Sequence, residues 1–226
     1  KSFKYIKYYF NYGKRDHKKF KEWNLDKFGT KLILTGSPKF DILEKEINQS
    51  NKKKFIKRLN LKKKYILITT SIGFPLSIRR FSDMIYSRIF DLKNKKLKEN
   101  ITNSFFNLTR QSIYNLRETI NLINYLCVNL KNYSIVLKTH PDEVREDWIK
   151  ILDKNKNLFV IKNYFTQSLI NNAELIIQNG STTAIESTIA NNHTISLNSK
   201  KFKFEINKTF PNSFSKNFNT KEKLLN

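Results

Sequence analysis

Six short apolar runs constrain the fold of this 226-residue chain more than any other feature of its sequence. Near-continuous apolar runs are typical of strands that are buried on both faces of a sheet. Amphipathic stretches separate the runs, and this alternation predicts an α/β fold in which helices cover a parallel sheet. The predicted strands cover residues 31–35, 65–70, 133–138, 158–161, 174–178 and 194–197.

The longest predicted helix covers 110–130, where apolar residues recur at helical spacing. Residues 71–109 show no clean period, so we expect a long active-site loop with a helical piece there. The domain prediction is a connector over 1–30, one sheet domain over 31–198 and a tail over 199–226. The shorter predicted helices cover 41–49, 148–152, 166–172 and 182–190.

The net charge of +24 raises the question of a nucleic-acid partner, because clustered cationic side chains bind phosphate. Arginine, the residue suited to bidentate contacts with bases, is scarce, whereas lysine and asparagine are spread along the whole chain. A solvated surface is therefore the first interpretation of the charge, and peripheral attraction to an acidic membrane is the second. No specific nucleic acid is expected.

Cysteine usage and apolar run length exclude further classes of protein. Cys127 has no second cysteine to pair with, which excludes an internal disulfide and a zinc site built from several cysteines. No apolar run reaches the length of about 18 residues that predicts a transmembrane helix. The start at Lys1, with lysines interrupting the first apolar positions, predicts a fragment without a signal peptide. We expect a cytoplasmic protein.

The segment after the fifth predicted strand is the first candidate site. Gly180 allows positive φ and close backbone approach, and Ser181, Thr182 and Thr183 offer hydroxyl groups and free backbone N–H groups where a helix begins. These are the properties of a phosphate-binding loop. A serine or threonine that merely caps the helix is the competing interpretation.

The second candidate site follows the third predicted strand. Lys138 ends this strand, and His140 and Pro141 come directly after it. A neutral imidazole can hydrogen-bond a hydroxyl group, and an imidazolium can pair with phosphate. An ordinary His-Pro turn is the competing interpretation. Small residues after the first two predicted strands, which we expect to line a cleft, are Gly36, Ser37, Ser71 and Gly73.

Four strand-end segments, in this order, resemble the bacterial surface carbohydrate biosynthesis family, which is related to the capsule and lipopolysaccharide transferases that use CMP-Kdo. The resemblance covers about residues 20–198. The segments are Thr-Gly-Ser-Pro-Lys-Phe-Asp at 35–41, Thr-Thr-Ser-Ile-Gly-Phe at 69–74, Lys-Thr-His-Pro-Asp-Glu at 138–143 and Asn-Gly-Ser-Thr-Thr-Ala-Ile-Glu at 179–186.

The resemblance implies the C-terminal, donor-binding half of a GT-B glycosyltransferase, a pair of Rossmann-like domains with a cleft between them. It implies that His140, Pro141 and the hydroxyls of 181–183 bind the phosphate of a nucleotide sugar such as CMP-Kdo, and that Glu186 binds a ribose hydroxyl. No metal or cofactor is implied, and the catalytic carboxylate is expected in the N-terminal domain. The implied partner is a glycan or lipid-linked acceptor at the inner membrane.

Three alternatives stay open at this point. A glycerol-phosphate-type polymer transferase shares the scaffold and the His-Pro and Ser/Thr pattern. A sugar-nucleotide epimerase also uses this architecture, but its chemistry needs several acidic groups near the sugar, and only Glu186 is well placed. A non-enzymatic membrane-surface or nucleic-acid binder explains the charge but not the residues at the strand ends.

Overall fold

The computed structural model describes residues 5–41, 52–61, 64–71, 99–164, 166–197 and 210–225. The chain divides into two compact units, Lys1–Asn48 and Gln49–Asn226. Among the described residues, no helix combines the length and the apolar character needed to cross a membrane.

The smaller unit contains two parallel strands, β1 (Tyr8–Asn11) and β2 (Lys31–Leu34). Helix α1 (Lys14–Glu22) and a 3-10 turn (Leu25–Phe28) connect them. Gly29 closes this turn at φ 79°, a left-handed conformation that glycine adopts without steric cost. The side chains of β1 alternate, so that Asn11 is buried while Tyr8 and Phe10 are exposed.

The larger unit contains a six-stranded sheet in the order β5-β4-β3-β6-β7-β8, in which every neighbouring pair is parallel. The central strands β3 and β4 are buried along their whole length, as their continuous apolar sequence predicts. The strands are β3 (Tyr65–Thr69), β4 (Ser134–Lys138), β5 (Leu158–Ile161), β6 (Leu175–Gln178), β7 (Thr194–Leu197) and β8 (Lys216–Phe218).

Hydrophobic clusters cover both faces of this sheet. On one face Ile66 and Leu137 pack with Leu122 and Trp148, and on the other Leu67 packs with Ile170. Since alternate residues of a strand point to opposite faces, each central strand supplies both clusters. The helices of the larger unit are α2 (Lys52–Arg58), α3 (Glu99–Asn129), α4 (Arg145–Ile151), α5 (Thr166–Asn172), α6 (Thr183–Ile189) and α7 (Lys221–Leu225), with a 3-10 turn at Phe210–Phe214.

The parallel sheet with helices on both faces confirms the predicted fold class, but the boundaries differ from the predicted domain over 31–198. Strand β2 pairs with β1 in the smaller unit, and β8, from the predicted tail, joins the main sheet beside β7. An apolar run predicts a strand but carries no information on its partner, which is why these assignments differ. The predicted helix over 41–49 lies almost entirely outside the described residues.

Helix α3 begins at Glu99, eleven residues before the predicted start. The predicted helix starts later because residues 99–109 show no clean apolar period. They are also rich in asparagine, serine and threonine, which have low helix propensity. Extending an existing helix needs no new nucleation, so such residues are accommodated at its end. At 1.5 Å per residue, the 31-residue helix is about 46 Å long, far longer than the strands it packs on.

Candidate nucleotide-binding site

The strand order creates a crevice at the carboxyl edge of the six-stranded sheet. From β3 the chain proceeds outward to β4 and β5, and from β6 it proceeds in the opposite direction to β7 and β8. Numbered from β3, this is the order 3-2-1-4-5-6 of a Rossmann fold, whose ligands bind where the direction reverses. The reversal falls between β3 and β6.

Three strands that border this crevice end at the same level. Thr69, the last residue of β3, is in register with Lys138 of β4 on one side and with Gln178 of β6 on the other. The predicted candidate loops, at 139–143 and 179–183, therefore begin side by side, with β3 between them. A small cavity lies at this point, and its polar lining residues are Thr69, Thr70, Thr119, Gln178 and Asn179.

A buried carboxylate fixes the turn that carries His140. The Oε2 atom of Glu143 accepts hydrogen bonds from the Thr70 hydroxyl at 2.5 Å, from the indole N–H of Trp148 at 2.9 Å and from the backbone N–H of His140 at 3.2 Å. Glu143 is 1% exposed. The turn after β4 is thus joined both to the end of β3 and to helix α4.

The imidazole of His140 is oriented by its own turn. Its Nδ1 lies 3.1 Å from the backbone N of Asp142, which can only donate, and 3.7 Å from the Asp142 carboxylate. The shorter contact makes Nδ1 an acceptor, which assigns the proton of the neutral ring to Nε2. The side chain is 27% exposed. This arrangement lets His140 offer an N–H donor to a ligand in the crevice.

Two lysines bring positive charge to the same turn. The ammonium group of Lys162 donates to the backbone carbonyl of Glu143 at 2.8 Å. Lys138, predicted to line the cleft, is 9% exposed at the end of β4. Burial strengthens the electrostatic influence of such charges because little water screens them. These two cationic side chains lie at a turn that also carries the carboxylates of Asp142 and Glu143.

The loop after β6 differs from the prediction in its hydrogen bonding. Gly180 adopts φ 63°, as expected for a glycine at a tight turn. The backbone N–H of Ser181 donates to Gln178 Oε1 at 2.8 Å, and that of Thr183 donates to the Ser181 hydroxyl at 3.3 Å. The prediction of free N–H groups at Ser181 and Thr183 is therefore wrong, because neighbouring side chains already accept from both.

The hydroxyl groups of this loop are divided between internal and outward positions. The Ser181 and Thr183 hydroxyls lie 2.9 Å apart and bond to each other. Thr182 is exposed, and its hydroxyl lies 3.4 Å from Glu186 Oε1. Thr182 thus offers the most accessible hydroxyl of the three to a ligand.

Glu186 is too deeply buried for the predicted contact with a ribose hydroxyl. It is 2% exposed, on the side of α6 that faces the protein interior. A helix residue one turn from the start points back over that turn, which places this side chain beneath Thr182 rather than in the crevice. Direct contact with a ribose hydroxyl would require the loop to open.

A buried amide that the sequence analysis missed supports the same loop. Asn212 Oδ1 accepts from the backbone N–H of Gly180 at 3.0 Å and from Gln178 Nε2 at 3.0 Å. Gln178 Nε2 also bonds to Ser196 and Ser215, so β6, β7 and the 210–215 segment meet here. No local pattern marked Asn212, since its segment is weakly patterned in sequence.

The remaining predicted site residues lie in different parts of the chain. Gly36, at φ 79°, and Ser37 belong to the smaller unit. Ser71 follows β3 and is partly exposed, and Gly73 lies outside the described residues. Pro141 is exposed in the turn after His140. In the described part of the chain, no group of three or more His, Cys, Asp or Glu side chains is arranged to hold a metal ion.

The fold and the crevice define an α/β domain of the Rossmann-like class. No protein-family model matches the sequence, and no curated protein matches it. Solved structures do match. The UDP-GlcNAc 2-epimerase of Methanocaldococcus jannaschii superposes with a TM-score of 0.53 at 16% identity, over 97% of this chain and 53% of that one.

The wall teichoic acid polymerase TagF, in a structure soaked with CDPG, gives a TM-score of 0.51 at 14% identity, over 97% of this chain and 47% of that one. KpsC of Thermosulfurimonas dismutans, a beta Kdo 2,4 transferase, gives a TM-score of 0.31 at 10% identity, over 72% of this chain and 46% of that one. This TM-score is too low to support an argument about the donor. The chain thus spans about half the length of the first two structures. The likenesses to the epimerase and to TagF show the fold: the chain has the Rossmann-like architecture of a GT-B half.

Proposed function

We propose that this chain is the donor-binding half of a nucleotide-sugar-dependent glycosyltransferase of cell-surface polysaccharide biosynthesis. The observation that carries the proposal is the pair of fixed polar loops, at 139–143 and 179–183, on the two sides of β3 at the reversal of strand order. Ligands of open parallel sheets bind at this position.

The distance between the two loops favours a nucleotide over a single phosphate. Neighbouring strands lie about 4.8 Å apart, so β4 and β6, on either side of β3, are separated by about 10 Å. One phosphate group can contact only one of the loops over such a distance. A nucleoside phosphate with an attached sugar is long enough to contact both.

The proposed chemistry is stabilisation of the departing phosphate. Negative charge develops on this group as its bond to the sugar breaks, and donors already fixed in place lower the barrier. The Nε2–H group of His140 and the hydroxyl of Thr182 are the donors in this proposal, with Lys138 and Lys162 supplying positive charge. Transfer is proposed to proceed without a metal, with the catalytic carboxylate outside this chain.

The sugar donor is proposed at two levels of detail. The position and polar lining of the crevice support a nucleotide sugar as the ligand. The proposal of CMP-Kdo as the particular donor rests on the four sequence segments alone. The matched structures are named for UDP-GlcNAc and CDPG, which supports the wider class. A glycerol-phosphate-type transferase remains the second candidate, because it would use the same two loops. An epimerase is less well supported, since Glu143 and Glu186 are both buried.

The acceptor in this proposal is a glycan or a lipid-linked saccharide on the cytoplasmic side of the inner membrane. The charge of +24 supports peripheral attraction to the acidic lipids of that membrane. Binding to vesicles that contain anionic lipid, compared with neutral vesicles, tests this part by itself.

Nucleotide titration tests the proposed function. A ligand at 100 times its Kd raises the free energy of unfolding by about 2.7 kcal/mol, so CMP, CDP, UDP and GDP are each titrated while the thermal midpoint is followed. We expect cytidine nucleotides to give the largest rise, and His140→Ala and Thr182→Ala to reduce it. His193→Ala, at an exposed histidine after α6, is the matched control. Equal rises with all four nucleotides that salt abolishes would contradict the proposal.

A further inference from the structure

We infer that Glu143 is the positioning residue of the crevice: its carboxylate sets the orientation of His140 by joining the turn after β4 to the end of β3 and to α4. In the sequence, Glu143 stands out only as the last residue of the strand-end segment at 138–143. This inference rests on the proposed function for the ligand of His140, but the orientation itself can be measured without a ligand.

One carboxylate oxygen, Glu143 Oε2, accepts three hydrogen bonds. The hydroxyl of Thr70, the indole of Trp148 and the backbone N–H of His140 all donate to Glu143 Oε2, and they come from three different elements of the fold. Hydrogen bonds to a carboxylate are about twice as strong as those between neutral groups. Glu143 and Trp148 are fully enclosed, so water cannot replace a lost acceptor.

The connection to the imidazole runs through a four-residue turn. The His140 carbonyl accepts from the backbone N–H of Glu143 at 3.0 Å, and the Asp142 N–H that holds Nδ1 lies between these two residues. The His140 N–H is also held by the Thr70 hydroxyl at 3.2 Å. Loss of the carboxylate therefore frees one side of the turn, and the contact that fixes the tautomer weakens.

Thr70 provides a milder way to test the same connection. Its hydroxyl donates to Glu143 and accepts from His140, so it bridges the two residues directly. Thr70→Val keeps the shape of the side chain and removes only this bridge. Thr194→Val is the matched control, because Thr194 begins β7, outside both loops, and its hydroxyl bonds to Ser187.

The first measurement is the tautomer of His140 in ¹⁵N-labelled protein without ligand. Spectra that correlate ring protons with ring nitrogens are recorded at about pH 8, above the usual imidazole pKa of about 6.5. The chain has three histidines, His17, His140 and His193, so assignment by single substitution is direct. We expect one Nε2–H tautomer at His140, and averaged tautomers in Glu143→Ala and Thr70→Val, with His17 and His193 unchanged.

The second measurement is a double-mutant cycle with CDP as the probe. We expect Glu143→Ala and Thr70→Val to weaken CDP binding about tenfold, and to have no further effect once His140 is alanine. Glu143→Gln, which retains an acceptor oxygen, should recover most of the affinity. Thr194→Val should leave both the spectra and the affinity unchanged.

The results separate this inference from the proposed function. An unchanged His140 tautomer in Thr70→Val and Glu143→Ala would overturn the inference, and so would an equal loss of CDP affinity with and without His140. If Glu143→Ala does not fold, the His140 tautomer in Thr70→Val tests the inference in its place. If no nucleotide binds the unaltered chain, the proposed function fails, while the tautomer spectra still decide the role of Glu143.

Discussion

Replacing Asn212 with alanine tests whether the 210–215 segment holds the loop after β6. The substitution removes one buried acceptor and leaves the Gly180 N–H without a partner, while Gln178 Nε2 keeps Ser196 and Ser215. A buried donor without an acceptor costs about 1–3 kcal/mol, and losing one of several partners costs less. Because the Gly180 N–H is only partly buried, we expect Asn212→Ala to lower the free energy of unfolding by about 1 kcal/mol, at the low end of this range.

Urea titration followed by tryptophan fluorescence measures this loss. Trp148 is buried in the larger unit and Trp23 is exposed in the smaller one, so a Trp23→Phe background makes the signal specific to the sheet that contains Asn212. Asn212→Asp is the rescue variant, since a carboxylate oxygen can accept from the same two donors. It should recover part of the loss.

Asn155→Ala is the control for the loss of an asparagine side chain. The amide of Asn155 makes a long, exposed contact of 3.4 Å with the Asp153 carbonyl, so a change within about 0.5 kcal/mol is expected. The reasoning is refuted if Asn212→Ala costs no more than Asn155→Ala.

Two further predictions concern buried groups of the core. Burial, with a smaller contribution from the charge of Asp153, raises the pKa of Cys127 to about 11, above the usual value of about 8.5. The folded state thus favours the neutral thiol, and the stability that this supplies is full below about pH 8.5 and is lost as the pH rises towards about 11. In urea titrations across this range, the free energy of unfolding should therefore fall more steeply than in Cys127→Ala. Equal slopes for the two proteins would contradict this prediction. The hydroxyl of Tyr65 donates to the Leu169 carbonyl at 2.5 Å in the core, so Tyr65→Phe should lower the free energy of unfolding by about 1–2 kcal/mol. Burial, and to a smaller extent the charge of Glu174, raises the pKa of Tyr65. We therefore expect its phenol to ionise only when alkali unfolds the chain. In a titration with alkali, the ultraviolet absorbance of this phenolate should appear together with unfolding.

The elements that the sequence predicts well are those with a local signal. Strand β5 and helix α5 have the predicted bounds, and β4 differs by one residue, because apolar runs ending at turn residues define such elements by themselves. Strands β1 and β8 were missed. Both are short and more exposed than the central strands, and lysine and asparagine flank or interrupt their few apolar residues.

The candidate site was predictable in position but not in its internal contacts. His140 and Gly180 follow strands, and the carboxyl ends of parallel strands meet at one edge, so their placement at a common edge follows from the sequence. The partners of Glu143 and Asn212 could not be predicted. Thr70 and Gly180 are respectively 73 and 32 positions away from these residues, and only the assembled sheet brings them together.

The position of β3 in the middle of the sheet has a consequence for folding. Tyr65 pairs with Ser134, 69 positions later, and Ile66 pairs with Leu175, 109 positions later, whereas the pairs β4–β5 and β6–β7 close loops of about 20 residues. Closing the longest loop costs about 1.5 kcal/mol more than closing the short ones. The two outer pairs are therefore expected to form first, and β3 to join them last. Since β3 separates the two polar loops, the crevice exists only after this final step, and a partly folded chain would carry both loops without a site.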